Sequence, residues 1–119
     1  MDEEFSPALF LARIQDTHPT RLDSGRIILR PCFPYDGVSR MTSCFLDLYI
    51  GACYAPSAAE AGCVCRATVL AGTVIITAED HPFQLMERDA LRFAADQPYK
   101  FENRSNGAAK LLLDYQFPR

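Results

Sequence analysis

The sequence predicts an all-β fold, an antiparallel sandwich or barrel, in a single domain of 119 residues. From Arg26 onward, apolar and β-branched runs recur about every 8–12 residues between turn residues, a spacing typical of such folds. Residues 44–50 alternate between two faces, as a half-buried strand does. Helical periodicity is limited to residues 4–15, where Ser6 and Pro7 supply a cap and a first helical residue for one or two turns.

The remaining elements follow from the turn residues that separate them. Pro34 and Gly37 predict a turn over 34–37, because proline presets the first central position and glycine supplies a positive φ. Residues 55–62 are small and polar and predict a loop. Further turns are predicted at 78–81, 87–89, 94–98 and 103–107. The predicted strands are residues 27–29, 44–50, two strands within 67–77 joined at 71–72, and then 82–86, 90–93, 99–103 and 109–117.

Charge and composition exclude several classes of function. Fifteen acidic and twelve basic residues give a net charge of -3 and no basic stripe, so we expect no direct contact with nucleic acid. The sequence has no apolar run long enough to span a membrane and no readable secretory signal. An odd number of cysteines, five, without such a signal favours reduced thiols and a cytoplasmic location.

Two of the cysteines, Cys63 and Cys65, lie on the same face if this segment is a strand. They are either a soft-metal or redox pair or two small buried hydrophobic side chains, and the second reading is favoured because free cysteine is usually buried. A tetrahedral zinc site would need two further ligands, which the neighbouring sequence does not supply.

Two segments of the second half resemble motifs of the cupin superfamily. Residues 69–74, Val-Leu-Ala-Gly-Thr-Val, are similar to a cupin hairpin. Residues 89–103 are similar to the second cupin motif, G-D-x-x-x-x-P-x-x-x-P-H-x-x-x-N, and match its aspartate, second proline and asparagine. Arg88, Ala94 and Tyr99 stand where that motif has glycine, its first proline and histidine. The resemblance implies a double-stranded β-helix, or jelly-roll barrel, over residues 21–119, preceded by a helical or irregular arm over 1–20.

A narrower resemblance is to the C-terminal cupin domain of Xre-type helix-turn-helix transcriptional regulators. It rests on residues 89–96 followed by Pro98, Glu102 and Asn103, with similar segments at 22–33 and 48–56. These regulators carry a helical DNA-binding domain before the cupin, and this sequence does not contain one. The chain is therefore expected to be a stand-alone member or the sensor part of such a regulator.

Metal-dependent cupins bind iron or manganese through two histidines and a glutamate of the first motif and a histidine of the second. The corresponding positions here are about Ala58, Glu60, Cys65 and Tyr99. The resemblance therefore implies a cupin without its usual metal site, and we expect no cofactor. Glu60 and Cys65, together with Cys63, form a weaker alternative set of metal ligands.

Histidine and serine residues also give no sign of catalysis. His18 and His81 both fall in predicted loops outside the motifs, and no nucleophile with a neighbouring base is readable. We therefore expect a non-enzymatic domain. The alternative is a small stand-alone cupin enzyme, of the metal-dependent isomerase or dioxygenase type, with an atypical site that pairs Tyr99 with Glu60 or Asp47.

The resemblance also implies which side chains face the barrel interior. Strand alternation groups them in two sets of three. The first set is Tyr99, Phe101 and Asn103. The second set is Cys65, Ala67 and Val69. They either line a pocket for a small-molecule effector, oriented by the Tyr99 hydroxyl and the Asn103 amide, or fill the barrel as core.

The predicted function is small-molecule sensing and dimerisation, like the corresponding part of a transcriptional regulator. Cupin sensor domains of this kind usually pair, so a homodimer is expected. The apolar side chains of residues 5–14 either cover a partner in this dimer or pack on their own barrel.

Overall fold

A computed structural model describes residues 9–118, which form ten β-strands and two short 3-10 helices. The helices are Ile14–Asp16 and Asp23–Gly25. The strands are β1 (Thr20–Leu22), β2 (Ile27–Pro31), β3 (Met41–Leu48), β4 (Cys53–Tyr54), β5 (Val64–Ala71), β6 (Val74–Ala78), β7 (His81–Leu85), β8 (Ala90–Ala94), β9 (Tyr99–Asn103) and β10 (Ala109–Gln116). In this part of the chain no helix is long and apolar enough to cross a membrane.

The strands pair in two antiparallel sheets that face each other. The large sheet has the order β1-β2-β3-β10-β5-β8, and the small sheet has the order β4-β9-β6-β7. Apolar side chains from both sheets fill the space between them, and those with the largest volume are Phe101, Leu46, Leu48, Ile76, Leu111 and Leu113. The structure therefore confirms the predicted fold class, an all-β jelly-roll barrel.

The alternation predicted for the strands is visible in their burial. On β9, the side chains of residues 99, 101 and 103 are buried, whereas those of 100 and 102 are partly exposed. On β10, residues 109, 111 and 113 face the core in the same way. Because successive residues point to opposite faces of a sheet, each strand contributes a core-facing row and an outward-facing row.

The resemblance of residues 69–74 to a cupin hairpin predicts that β5 and β6 pair with each other, and this prediction is wrong. The two strands belong to different sheets, β5 pairing with β8 and β10 and β6 with β7 and β9. Gly72 lies between them with φ +84°, and a Cβ added to it would lie 3.0 Å from the Cα of Ala109. Glycine allows the chain to pass tightly against β10 as it crosses from one sheet to the other.

Two predictions for the first third of the chain are displaced in the structure. The turn predicted at 34–37 lies at 37–40, because the Asp36 carboxylate accepts hydrogen bonds from the backbone N–H groups of Val38 and Ser39. Of the helix predicted over 4–15, the described part contains only the 3-10 turn at Ile14–Asp16. Residues 4–8, including Ser6 and Pro7, lie outside the described residues.

Arg88, which stands where the second motif usually has glycine, has a backbone conformation that favours glycine. Its φ is 77°, in the left-handed region that glycine adopts without strain. The backbone of this turn is held on both sides, since the Arg88 N–H donates to Val69 O and the Asp89 N–H donates to Met86 O. The sequence therefore departs from the motif in side chain while keeping its backbone conformation.

Candidate ligand-binding site

The six side chains predicted to line a pocket all face the barrel interior. Four of them, Cys65, Ala67, Val69 and Phe101, have no exposed surface. Tyr99 and Asn103 retain 6% and 4% of theirs. The five other than Asn103 belong to the continuous hydrophobic core between the sheets, and contact with a ligand remains a prediction for all six.

All the hydrogen-bonding capacity of the Asn103 amide is taken up by partners within the chain. Its Nδ2 donates to Leu48 O and to Gly107 O, both at 2.8 Å, and its Oδ1 accepts from the N–H and the hydroxyl of Ser105. An amide has two donor hydrogens and two acceptor lone pairs, so no capacity is left over. Asn103 anchors the 103–107 turn to β3, and recognition of a ligand by this amide would require one of these bonds to break.

A pair of tyrosine hydroxyls lies at one end of the interior. The hydroxyl oxygens of Tyr99 on β9 and Tyr115 on β10 are 2.9 Å apart, within hydrogen-bond distance. Tyr115 is the direct neighbour of Cys65 in the ladder between β10 and β5. The ring of Tyr99 packs against those of Phe93 and Phe101, with centroids 5.1 and 5.7 Å away. The two sheets thus meet at a small cluster of hydroxyl, thiol and aromatic groups.

This cluster is uncharged at neutral pH, and burial moves its pKa values further above 7. Burial raises the pKa of Cys65 to about 12, and raises that of Tyr99 to about 12 although the hydrogen bond with Tyr115 opposes the shift. The pKa of Tyr115 is raised further, again chiefly by burial. Burial also raises the pKa of Cys44 to about 11. These groups therefore offer hydrogen bonds, and none is a thiolate or phenolate nucleophile near pH 7.

A cavity of about 290 Å³ is lined by Tyr115, one member of the tyrosine pair, and we call it the barrel-mouth cavity. Its apolar surface comes mainly from leucine, proline and aromatic side chains. The residues that bring hydroxyl groups to its lining are Tyr54, Tyr115, Thr20, Thr42 and Ser43. None of the six predicted pocket residues lines it, although Tyr99 reaches it indirectly through Tyr115.

The sequence interpretation did not single out Tyr115, although its own strand pattern contains the signal. Alternation along residues 109–117 places 111, 113 and 115 on the core-facing side of β10. Tyr54 has no such signal, since it lies on a strand of two residues that no periodicity could identify.

The donor groups present do not fit a cupin metal centre. Cys65 and Tyr99 stand at two of the four ligand positions, and both hold their protons at neutral pH. Glu60 is exposed, and its charge raises the pKa of buried Cys63 in addition to the effect of burial. Among residues 9–118, no three His, Cys, Asp or Glu side chains lie close enough together to hold a metal ion.

The structure also separates the members of the alternative acid–base pairs. Asp47 points away from the core, between the buried Leu46 and Leu48, and its carboxylate pairs with Arg30 at 3.4 Å. Glu60 lies on an exposed loop, whereas the Tyr99 hydroxyl is engaged inside the barrel. Both histidines, His18 and His81, are exposed.

Comparison with known proteins decides the fold family. No protein-family model and no curated protein matches the sequence. Among solved structures, the chain is similar to the Cupin_2 domain of an XRE family transcriptional regulator from Enterobacter cloacae, with a TM-score of 0.76 and 23% identity over 79% of this chain and 99% of that one. The protein has a cupin fold.

Other similar cupins differ in the roles that their names give. An HTH_3 family transcriptional regulator from Vibrio cholerae matches with a TM-score of 0.79 and 19% identity, over 85% of this chain and 56% of that one. A predicted oxalate decarboxylase from Thermotoga maritima matches with a TM-score of 0.76 and 12% identity, over 92% of this chain and 100% of that one. Identities this low show the cupin fold alone, so the function has to be argued from the site.

Proposed function

We propose that this cupin is a non-enzymatic sensor domain that binds a small organic effector in the barrel-mouth cavity. The cavity itself carries the proposal, because apolar walls around a few fixed hydrogen-bonding groups are typical of small-molecule sites. The uncharged state of Tyr99, Tyr115 and Cys65 supports recognition over acid–base or nucleophilic chemistry near pH 7. The fold similarity to cupin domains of transcriptional regulators supports a regulatory role.

The chemistry of the cavity indicates the class of effector. Leu29 and Leu113 favour an apolar body, and the hydroxyls of Tyr54 and Tyr115 favour one uncharged polar group that accepts or donates a hydrogen bond. Its volume of about 290 Å³ corresponds to about ten non-hydrogen atoms, if each takes the share that a water molecule has in the liquid. A charged ligand would lose its hydration without gaining a counter-charge on the tyrosine hydroxyls.

Cytoplasmic location is part of the same proposal. All five cysteines, which are residues 32, 44, 53, 63 and 65, are free thiols in the structure. Free thiols persist in a reducing compartment, which supports this location. With a net charge of -3, we propose that any regulatory effect on nucleic acid passes through another domain or protein.

Binding can be tested with small phenols and alcohols, using phenol as the first probe. We expect phenol to raise the melting temperature in a saturable way, because a ligand that binds only the folded state stabilises it. Replacing Tyr115 with Phe removes one hydroxyl from the cavity wall and should weaken phenol binding about fivefold to tenfold, the usual effect of one lost hydrogen bond.

The matched control is Tyr35→Phe, which removes a hydroxyl from an exposed tyrosine that does not line the barrel-mouth cavity. It should leave phenol affinity unchanged. Equal affinity in Tyr115→Phe and wild type, or no saturable binding by any phenol or alcohol tested, would contradict the proposed site.

Dimerisation through the N-terminal arm is the second part of the proposal. Phe5 lies outside the described residues, but Leu9 and Leu11 are 61% and 71% exposed, and Val38 in the neighbouring loop is 79% exposed. Grouped apolar side chains of this exposure are typical of an interaction surface, and a two-fold axis would let the same surface cover itself.

Light scattering should therefore give a mass near twice the 13.3 kDa of one chain. The double variant Leu9→Asp with Leu11→Asp should shift the protein to monomer, because charges would be buried in the interface. The control Leu22→Asp changes an exposed leucine on edge strand β1, outside this surface, and should leave the dimer intact. A wild-type monomer at high micromolar concentration would refute dimerisation, and an intact dimer in the double variant would move the interface elsewhere.

A further inference from the structure

A second cavity, of about 390 Å³, lies on the outer face of the large sheet, and we call it the outer-face cavity. Its floor contains Ser43 of β3 and Asp114 of β10, which are direct partners in the ladder and point away from the core. Three aromatic side chains from the arm and the 33–39 segment stand around it, namely Phe10, Phe33 and Tyr35. The sequence pattern assigns no ligand-binding role to these residues, and Phe10 enters it only as one of the apolar side chains of the arm.

Asp114 is the unusual group in this cavity. Its carboxylate is half-buried, and among the described residues it makes no hydrogen bond and no ion pair within 4.0 Å. The neighbouring Ser43 hydroxyl accepts the Phe33 N–H at 3.1 Å. Arg66 faces Asp114 across the β10–β5 ladder, but its side chain is exposed and outside ion-pair distance.

The second carboxylate of the cavity is in a different state. Asp36 accepts hydrogen bonds from the Val38 and Ser39 backbone and from the Ser39 hydroxyl, which lower its pKa. At Asp114, burial raises the pKa and the charge of Arg66 opposes that effect. Asp36 is therefore satisfied by its own turn, whereas Asp114 is a poorly solvated negative charge that a cation would stabilise.

The aromatic rings favour an organic cation over a metal ion. Phe10 meets Phe33 edge-on at a centroid distance of 6.0 Å, and Tyr35 is fixed edge-on against Phe117 at 5.6 Å. Aromatic faces attract ammonium groups and their alkyl substituents, and such cations are recognised by several rings around one charge. One free carboxylate is too few ligands for Ca²⁺ or Mg²⁺, which take six or more oxygens.

We propose that the outer-face cavity binds an organic ammonium ion, with the cationic nitrogen near Asp114 and its alkyl groups against Phe10, Phe33 and Tyr35. Two nearby carboxylates disfavour an anion. A neutral apolar ligand would cover Asp114 without compensating its charge, which costs binding free energy. This site is separate from the effector site of the proposed function, because Asp114 does not line the barrel-mouth cavity.

Choline and its neutral isostere 3,3-dimethylbutan-1-ol are suitable probes, since they differ chiefly in charge. Titration of the full chain, followed by NMR or calorimetry at low ionic strength, should show saturable binding of choline and about tenfold weaker binding of the alcohol. Asp114→Asn keeps the shape of the side chain and should weaken choline binding about tenfold. Phe10→Leu removes one ring at an exposed position and should weaken it about threefold.

The matched control is Asp47→Asn, which removes the same charge from the same outer face of the large sheet, beyond the cavity. It should leave choline affinity unchanged. Equal binding of choline and the alcohol, equal binding by wild type and Asp114→Asn, or no saturable choline binding up to about 100 mM would overturn the proposal. A cooperative thermal melt of Asp114→Asn checks that the variant is folded, independently of any ligand. Phenol binding should persist in it if the two sites are separate.

Discussion

The two cavities share a wall and have opposite electrostatic character. The segment between β2 and β3 and the first residues of β3 separate them. The residues that line both cavities are Phe33, Pro34, Thr42 and Ser43. On the core side, the polar groups are hydroxyls and a thiol, all of them uncharged, and burial raises the pKa of Cys44 and Tyr115 further above neutral pH. On the outer side, the polar groups include the carboxylates of Asp36 and Asp114. One strand pair therefore presents a neutral site and an anionic site, because the consecutive residues Asp114 and Tyr115 of β10 face opposite sides.

This difference shows how burial selects chemistry on the two faces of one sheet. The core face tolerates polar groups that are neutral and hydrogen-bonded, as Tyr99 and Tyr115 are to each other. The outer face keeps enough contact with water for Asp114 to carry a charge. Substitutions that disturb one side at a time test this contrast.

The largest effect is expected for Tyr99→Ala, on the core side. Tyr99 is 6% exposed and packs against Phe93 and Phe101, so truncation should lower the free energy of unfolding by about 3–5 kcal/mol, as for other large buried aromatic side chains. Urea denaturation measures this loss. On the outer side, Tyr35→Ala truncates a ring that is 51% exposed and should cost less than half as much. Similar losses in the two variants would contradict the contrast.

Alkaline pH should destabilise the protein through the core-facing groups. Burial raises the pKa of folded Cys65 from 9.0 to about 12, so its contribution to stability is complete below pH 9 and is lost as the pH rises to 12. The slope is at most about 1.4 kcal/mol per pH unit for one such group. Urea denaturation between pH 9 and 12 should show a shallower decline in Cys65→Ala, which lacks this group. Parallel declines in the two proteins would show that Cys65 is not the titrating group.

The smallest effect is expected for Asp114→Asn in the absence of ligand. Burial raises the pKa of folded Asp114, so the stability tied to its protonated form is present at acid pH and is lost as the pH rises through that pKa. At pH 7, asparagine should therefore equal wild type or exceed it by a few tenths of a kcal/mol, because solvent screens this half-exposed charge. Thermal melts at pH 7 check this. A loss above about 1 kcal/mol would show that the carboxylate has a stabilising partner.

The sequence predicts individual strands well where alternation and turn residues agree. Strand β9 was predicted as residues 99–103 and has those bounds, because Pro98 precedes it and the 103–107 turn follows. The residue at the histidine position of the second motif, Tyr99, was likewise readable from the spacing of that motif. These inferences depend on local patterns and on a motif of fixed spacing.

Contacts between distant segments could not be read in the same way. The outer-face cavity combines residue 10, the segment 33–39 and residue 114, and only the register of Asp114 opposite Ser43 brings them together. The assignment of β5 and β6 to different sheets is a property of the whole barrel, since Gly72 predicts a tight turn but not its direction. Tyr115 falls between these cases, because its face was predictable and its hydroxyl partner on β9 was not.

The position of β10 has a consequence for how the chain folds as it is synthesised. β10 is the last in sequence of the strands within residues 9–118, yet it lies in the middle of the large sheet between β3 and β5. Until residues 109–116 have emerged from the ribosome, β3 and β5 have no common partner, and the core lacks Leu111 and Leu113. The nascent chain must therefore keep its apolar faces from aggregating until synthesis of β10 is complete, and the barrel closes only after that late, long-range pairing.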